Sequence, residues 1–259
     1  MASAIRLEGT AVPRPTWRHA YLTMTGWDLA GLRLELPLIV VVQILSGIGF
    51  VLGIGLFFQR IPAQVALYVS TGVVVLNLIL VGLIVGPQNT ADQKLAGTYE
   101  YLRALPVPAT AAAGAWFTVA LIASLPAAVV SLVIAELRYG ISFTITPSIV
   151  PAVLLTAFTG TMLGYALSHA IDDPMRTRLI AQMLVFFVFG FSPILYPASQ
   201  QPPWLATISW WLPFEHMATI VRAGLTTGVV SGIGRSYLIV AIWGIVGTAL
   251  SARAVGRRA

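Results

Sequence analysis

The sequence predicts an all-α integral membrane protein: six transmembrane helices preceded by an interfacial amphipathic helix, with re-entrant helices between the fifth and sixth spans. Three observations predict it. Of 259 residues, 58% are apolar and 9% charged, and the mean hydropathy is +0.87. An ordinary globular domain carries roughly 25% charged residues, and a soluble chain of this length needs far more polar surface. Long apolar stretches recur along the chain, each near the roughly 20 residues that cross a bilayer. All 15 Lys/Arg and all 9 Asp/Glu residues fall outside those stretches, and a charge at the bilayer centre costs about 3 kcal/mol or more. This composition excludes a soluble enzyme, a disordered tail and a nucleic-acid-binding module. The pI of 10.1 accompanies a net charge of only +6, for which cytoplasmic arginines give the simpler reason. The stretches are continuously apolar and too long for barrel strands. With no cysteine there is no disulfide framework, thiolate chemistry or cysteine metal site.

Residues 1–36 form the cytoplasmic or interfacial N-terminal region. They lack a short apolar run followed by a small-residue cleavage site, so the first span is expected to stay in the protein. Trp17, Ala20, Tyr21, Met24 and Trp27 recur at helical spacing, with Arg18 and Asp28 off that stripe. This pattern describes an amphipathic helix lying in the interface. Pro37 then marks a bend into the membrane. The six-span domain covers residues 37–252. Its spans are Pro37 to Phe58, Gln64 to Gly86, Thr110 to Ala135, Ser148 to Ala170, Leu179 to Tyr196, and Tyr237 to Ala252. Residues 253–259 are a cytoplasmic tail.

The connections differ in character. Residues 87–109 open with Pro87, contain Gly97 and Thr98, and end in Pro106–Val107–Pro108. Thr98 is placed to cap a short helix by accepting a backbone N–H, and Pro106 to stop it. The fourth–fifth connection holds Asp172 and Asp173 before Pro174. Two carboxylates without a third ligand are a weak Mg²⁺ signal; Asp at an N-cap with Pro at N1 reads as a helix start. Residues 197–235 are too apolar for a free outer loop, and Trp204, Trp210 and Trp211 suit helices dipping partway into the outer leaflet. Glu215–His216 has no second histidine at helical spacing and reads as a cap and an interface histidine.

Eleven of the 15 Lys/Arg residues lie on the side holding the N-terminus, the second–third and fourth–fifth connections and the tail. Arg60, Arg138, Arg222 and Arg235 lie on the other. The arginine-rich side is cytoplasmic by the positive-inside rule, so both termini are expected inside. Within the spans, Gln43, Asn77, Gln182 and His169 are either interhelical hydrogen-bonding groups or the lining of a path. Gly49-x-x-x-Gly53 and Gly160-x-x-x-Gly164 read as close-packing faces. The sole lysine, Lys94, follows Gln93, so no Gly-Lys-Ser/Thr phosphate loop exists. The chain has no ATPase site of that type.

The run Asp92 to Pro108, with Gly97–Thr98–Tyr99–Glu100 and Leu102 to Pro106, resembles the acidic–x–x–x–x–Gly–Thr–x–Glu–x–Leu–x–x–x–Pro pattern of type-2 ATP-binding-cassette (ABC) exporter permeases. Asp92 stands where that family often has glutamate. Phe191 to Pro197, Pro203–Trp204–Leu205, Leu212–Pro213–Phe214 and Val221–Arg222 resemble the family's second signature. The resemblance covers essentially the whole chain. It implies the permease subunit of an exporter in the plasma membrane; the scarce polar groups inside the spans suit a hydrophobic or amphipathic substrate that is drug-like, a lipid or lipid-linked. Two permeases, identical or related, would pair within membrane lipid, each docking a cytoplasmic ATPase subunit. This chain would bind no cofactor; ATP and Mg would sit on that partner. The resemblance assigns Gly97, Thr98, Glu100, Arg103 and Pro106 to the ATPase-coupling helix. It assigns Asn77, Gln182, Phe186 and Phe189 to the substrate pathway, and Phe191, Pro193 and Tyr196 to the outer gate.

Two other classes compete. An ion-coupled secondary transporter or channel usually needs intramembrane carboxylates or helices broken at the midplane, and no acidic residue lies inside a span. A membrane-embedded enzyme using His169, Asp172 and Asp173 lacks an accompanying nucleophile or metal-ligand set.

Overall fold

Six apolar segments with no strand-forming alternation can satisfy their backbone in lipid only as helices, and the computed structural model is all-helical among its described residues, 15–56 and 61–256. Helix α1 (Trp17–Gly31) precedes α2 (Glu35–Leu56). The second span begins as α3 (Ala63–Leu80), passes through a π-helical turn (Val81–Val85) and continues as α4 (Gly86–Leu95). After α5 (Thr98–Ala104) come α6 (Ala109–Tyr139), α7 (Ile149–Ala170) and α8 (Pro174–Phe191). Two short helices, α9 (Pro203–Trp211) and α10 (Pro213–Leu225), then lead to α11 (Ile233–Gly256). Six helices are long and apolar enough to cross a membrane. Phe58, where the first span was expected to end, lies outside the described residues, as do Arg6, Arg14, Arg60, Arg257 and Arg258 of the charge count.

Span boundaries depart from the sequence reading where proline chemistry decides them. Pro87 was expected to open a loop. Instead the helix runs through it to Leu95, because a π turn immediately precedes it. Proline lacks an N–H and its ring clashes with the carbonyl of residue i−4. A widened turn, in which Gly86 N–H bonds to the Val81 carbonyl, makes room for that ring. Pro37 sits inside the first turns of α2, and the bend falls at residues 32–34 instead. The fifth span ends at Phe191, not Tyr196: Pro193 pushes Ser192 into extended backbone (φ −91°, ψ 134°). That span starts earlier too, with Asp173 accepting from Arg176 N–H at 2.7 Å and Pro174 at N1. The tail is helical through Arg253 to Gly256.

Span 2 is the axis of the bundle. Val73 to Ile79 are all buried, as expected of a helix apolar on every side. Gly160 lets Ile79 approach α7, and Gly164 lies directly against the Gly82 backbone, so the Gly160-x-x-x-Gly164 face packs closely. The Gly49-x-x-x-Gly53 face does not: nothing lies within 4 Å of a side chain built at either position. Gly47 and Gly55 take that role in α2. Gly47 lies against Ser131 and Asn77, and Gly55 against Tyr139, whose hydroxyl donates to the Val51 carbonyl.

Helix α1 lies along the first half of α6. Trp17 stacks on Tyr21 and donates its indole N–H to Thr110 Oγ1 at 3.1 Å, while the Tyr21 and Thr118 hydroxyls meet at 2.7 Å. Trp17, Leu22 and Trp27 are more than half exposed, as an interfacial helix requires. At the other end, α10 buries Phe214, Met217, Ala218, Ile220, Val221 and Leu225 inside the bundle. The chain after α6 runs back along it, with Thr144 N–H and Thr146 N–H bonding to Leu225 and Gly224 carbonyls, both at 2.9 Å. His216 is not an interface residue: it is buried, bonding Ser236 at 3.1 Å and the Trp210 carbonyl at 2.9 Å.

Candidate functional site

Gly97 turns the chain between α4 and α5 with φ +75°, a left-handed conformation that costs most other residues roughly 1 kcal/mol. Thr98 does not cap α5. Its hydroxyl reaches back to the Gln93 carbonyl at 3.3 Å and closes the end of α4. Pro106 follows the helix end and is exposed. The seven-residue α5 is far below the length at which an isolated helix is stable, so its anchoring decides whether it exists.

That anchor is Tyr99, the buried residue of α5. Its ring lies between Lys94 Nζ at 5.0 Å and the Arg103 guanidinium at 5.7 Å, and 5.7 Å from the His169 ring. His169 in turn stacks on Tyr165 at 4.0 Å. Lys94 Nζ donates to Ser168 O at 2.7 Å and Ile171 O at 2.5 Å. These are terminal carbonyls of α7, where the helix dipole also favours a cation. Asp92 pairs with Arg178 at the start of α8. So α4 and α5 are fastened to the ends of spans 4 and 5, and Lys94 and Tyr99 do work that the sequence reading assigned to neither of them.

The opposite face of this unit is open. Leu95, Thr98, Glu100 and Tyr101 point outward, with Glu100 74% and Tyr101 61% exposed. Arg103 bonds Glu100 at 3.5 Å but turns back over Tyr99, its side chain 20% exposed. An exposed pair of this kind contributes under about 1 kcal/mol. Of the two charged residues singled out on α5, Glu100 presents itself outward and Arg103 braces the inner wall.

On the other side of the bundle, the segment after α8 is stitched down. Pro193 and Ile194 are buried. Gln201 donates to the Phe191 carbonyl at 2.7 Å and to Tyr196 Oη at 3.3 Å, and Ser209 donates to the same Phe191 carbonyl at 3.3 Å. Arg222 is 1% exposed. Its Nη2 donates to Ile194 O at 2.8 Å and Tyr68 O at 3.3 Å, its Nε to Thr71 Oγ1 at 3.0 Å, and it covers the Tyr68 ring at 3.5 Å. One guanidinium therefore ties α10, span 2 and the segment after span 5 together. The sequence reading counted Arg222 as an outer-loop charge and as part of the second signature, and gave it no bonding role. Its signal was spacing: Phe214, Ala218, Arg222 and Leu225 share one helix face, so this arginine sits on an apolar stripe.

The four pathway residues separate. Gln182 and Phe186 are exposed on α8, on a stripe with Leu179 and Met183. Phe189 turns inward and stacks on Phe50 at 5.0 Å. Asn77 is buried between three helices, its side chain donating to Ser131 Oγ at 2.9 Å, while its main-chain carbonyl accepts from Gln43 at 3.4 Å. Its geometry is that of interhelical hydrogen bonding. Asn77→Leu should lower thermal stability by about 1–2 kcal/mol, the scale of such bonds in membranes; thermal unfolding of the purified permease in detergent checks it.

Among known protein families, the family described as ABC-2 family transporter protein matches residues 58–253, from the end of the first span to the end of the last. No curated protein matches the chain.

Proposed function

The chain belongs to the ABC-2 transporter family, and from that membership we propose that it serves as the permease of an ATP-driven exporter. It carries a hydrophobic or amphipathic molecule (drug-like, a lipid or lipid-linked) out of the cytoplasm across the plasma membrane. ATP, with Mg, is hydrolysed by a separate ATP-binding-cassette subunit. The observation that carries this reading is the α4–α5 unit. A helix too short to stand alone is clamped to the ends of spans 4 and 5 through Tyr99, Lys94 and Asp92 while offering Glu100 and Tyr101 outward. A subunit that pushes on α5 displaces those spans as one body.

Two permeases pair, and each docks one ATPase. The exposed α8 stripe of Leu179, Gln182, Met183 and Phe186 supports this pairing, because an amide such as Gln182 facing plain lipid is left without partners. Substrate moves along that stripe, and the segment from Phe191 to Tyr196, pinned by Arg222, closes the outer end. Gln182→Leu should shift substrate selectivity while basal ATP hydrolysis of the complex stays at the wild-type rate. Transport assays on two substrates of different polarity check it, and an unchanged ratio counts against a lining role.

Orientation has its own test in this cysteine-free chain. A single cysteine at Arg138, at the end of α6, should react in intact cells with an impermeant thiol reagent. One at Thr98 should react only after permeabilisation. Labelling of the Thr98 site from outside puts α5 on the wrong side for an ATPase.

A further inference from the structure

Between α1, α5 and the ends of spans 2, 3 and 4, the chain lines a partly open cavity of about 110 Å³. Two of its polar groups are unpartnered. Trp116 is 5% exposed, and its indole N–H, close to Gly86 on the same wall, bonds to nothing. A buried donor left without an acceptor costs about 1–3 kcal/mol. The Asp28 carboxylate faces the cavity from α1 and makes no hydrogen bond or ion pair with any described residue. The rings of Tyr99 and Tyr165 complete an aromatic wall, and Met24 and Leu102 supply apolar surface.

We propose that this cavity binds a primary ammonium group with an oxygen acceptor a few bonds away, the chemistry of an ethanolamine phospholipid headgroup. The ammonium supplies N–H donors and a counter-charge to Asp28. The neighbouring ester or phosphate oxygen accepts from Trp116, which can only donate. A divalent metal fits poorly, because hard cations take six or more oxygen ligands and among the described residues no cluster of three suitable side chains exists. The lipid source follows from α1, whose exposed Trp17, Leu22 and Trp27 set the cavity at headgroup level. A headgroup held there bridges α1 to α5.

Burial holds the Asp28 carboxyl up at about 7. An ammonium binds the ionised form, so affinity rises with pH, roughly tenfold from pH 6 to pH 8. The other titratable groups on the lining are Tyr99 and Arg103 from α5 and Tyr165 and His169 from α7; α4 and α6 contribute none.

The test is native mass spectrometry of the full-length permease at pH 8, offered ethanolamine, choline and glycerol phospholipids with identical acyl chains. Ethanolamine lipid should be retained about tenfold more tightly than choline lipid, which lacks N–H donors. Asp28→Asn and Trp116→Phe should each remove that preference while the permease still unfolds in one cooperative transition. Soluble phosphoethanolamine that displaces the lipid identifies the headgroup alone as the ligand; failure to displace it assigns the site to the whole lipid. Equal retention of the three lipids, or a preference that survives both substitutions, overturns the proposal. No ATPase is present in this measurement, so its outcome is independent of the proposed coupling.

Discussion

Replacing Arg222 with leucine should release the segment after α8 and abolish transport. The guanidinium is 1% exposed and donates to Ile194 O, Tyr68 O and Thr71 Oγ1. Hydrogen bonds from a charged donor each contribute about 1.5–3 kcal/mol, and removing the donor strands the buried Ile194 carbonyl. A loss of about 3–5 kcal/mol in stability is therefore expected, against the usual 0.5–3 kcal/mol for a single substitution. Leucine also loses the stacking on Tyr68. Arg222→Lys keeps the charge but not the planar fork that reaches three acceptors at once, so its loss should be smaller. Thermal unfolding gives the first readout. The second is labelling of Tyr196→Cys, which should accelerate in the Arg222→Leu background. Wild-type unfolding and labelling in both variants would remove Arg222 from the outer closure.

Much of the architecture was legible because lipid imposes few choices. Charge-free apolar stretches had to be helices, and the six spans follow from where Lys, Arg, Asp and Glu are missing. The spacing of Gly97, Thr98, Glu100 and Pro106 was enough to mark α5 as a separate helix. What was hidden depended on side-chain direction. Span 2 is apolar all round, so its sequence has no face that tells whether Asn77 looks inward or toward a path; only its bond to Ser131 decides. Pro87 reads locally as a helix breaker, and the π turn that accommodates it has no composition signature. Thr98 and Gln93 meet because Gly97 turns the chain, so the hydroxyl closes α4 where residue type alone suggested an N-cap for α5. Asp28, off the apolar stripe of α1, faces a cavity that α1 lines where it lies against α6, and its place on the helix wheel alone does not show this.

The second large effect concerns α5. Tyr99→Ala removes its buried ring from between Lys94, Arg103 and His169. Truncating a buried aromatic residue costs about 3–5 kcal/mol, and here the cost falls on the contact that joins a seven-residue helix to spans 4 and 5. The six spans should persist. ATP hydrolysis by a bound partner should continue at its basal rate but no longer respond to substrate, and transport should fall at least about tenfold. Glu100→Ala acts at the other surface of the same helix. If the partner desolvates that carboxylate against a cation, its loss costs about 2–5 kcal/mol of docking, so the ATPase should dissociate on purification. The two variants therefore fail differently, one uncoupled and one unassembled. Measuring ATPase retention together with substrate-stimulated hydrolysis separates them. Two variants that both retain and both respond normally would take the coupling role from α5.

The most direct test uses one cysteine. Tyr101→Cys places a thiol on the outward face of α5 in a chain that has no other. In membranes containing the permease and its candidate ATPase, a short thiol-to-amine cross-linker should join position 101 to the ATPase and give a single permease–ATPase band. The same thiol placed at Ile145, on the opposite side of the bundle, should give none. Cross-linking at 145 in place of 101, or reaction of the 101 thiol with an impermeant reagent in intact cells, would contradict the account.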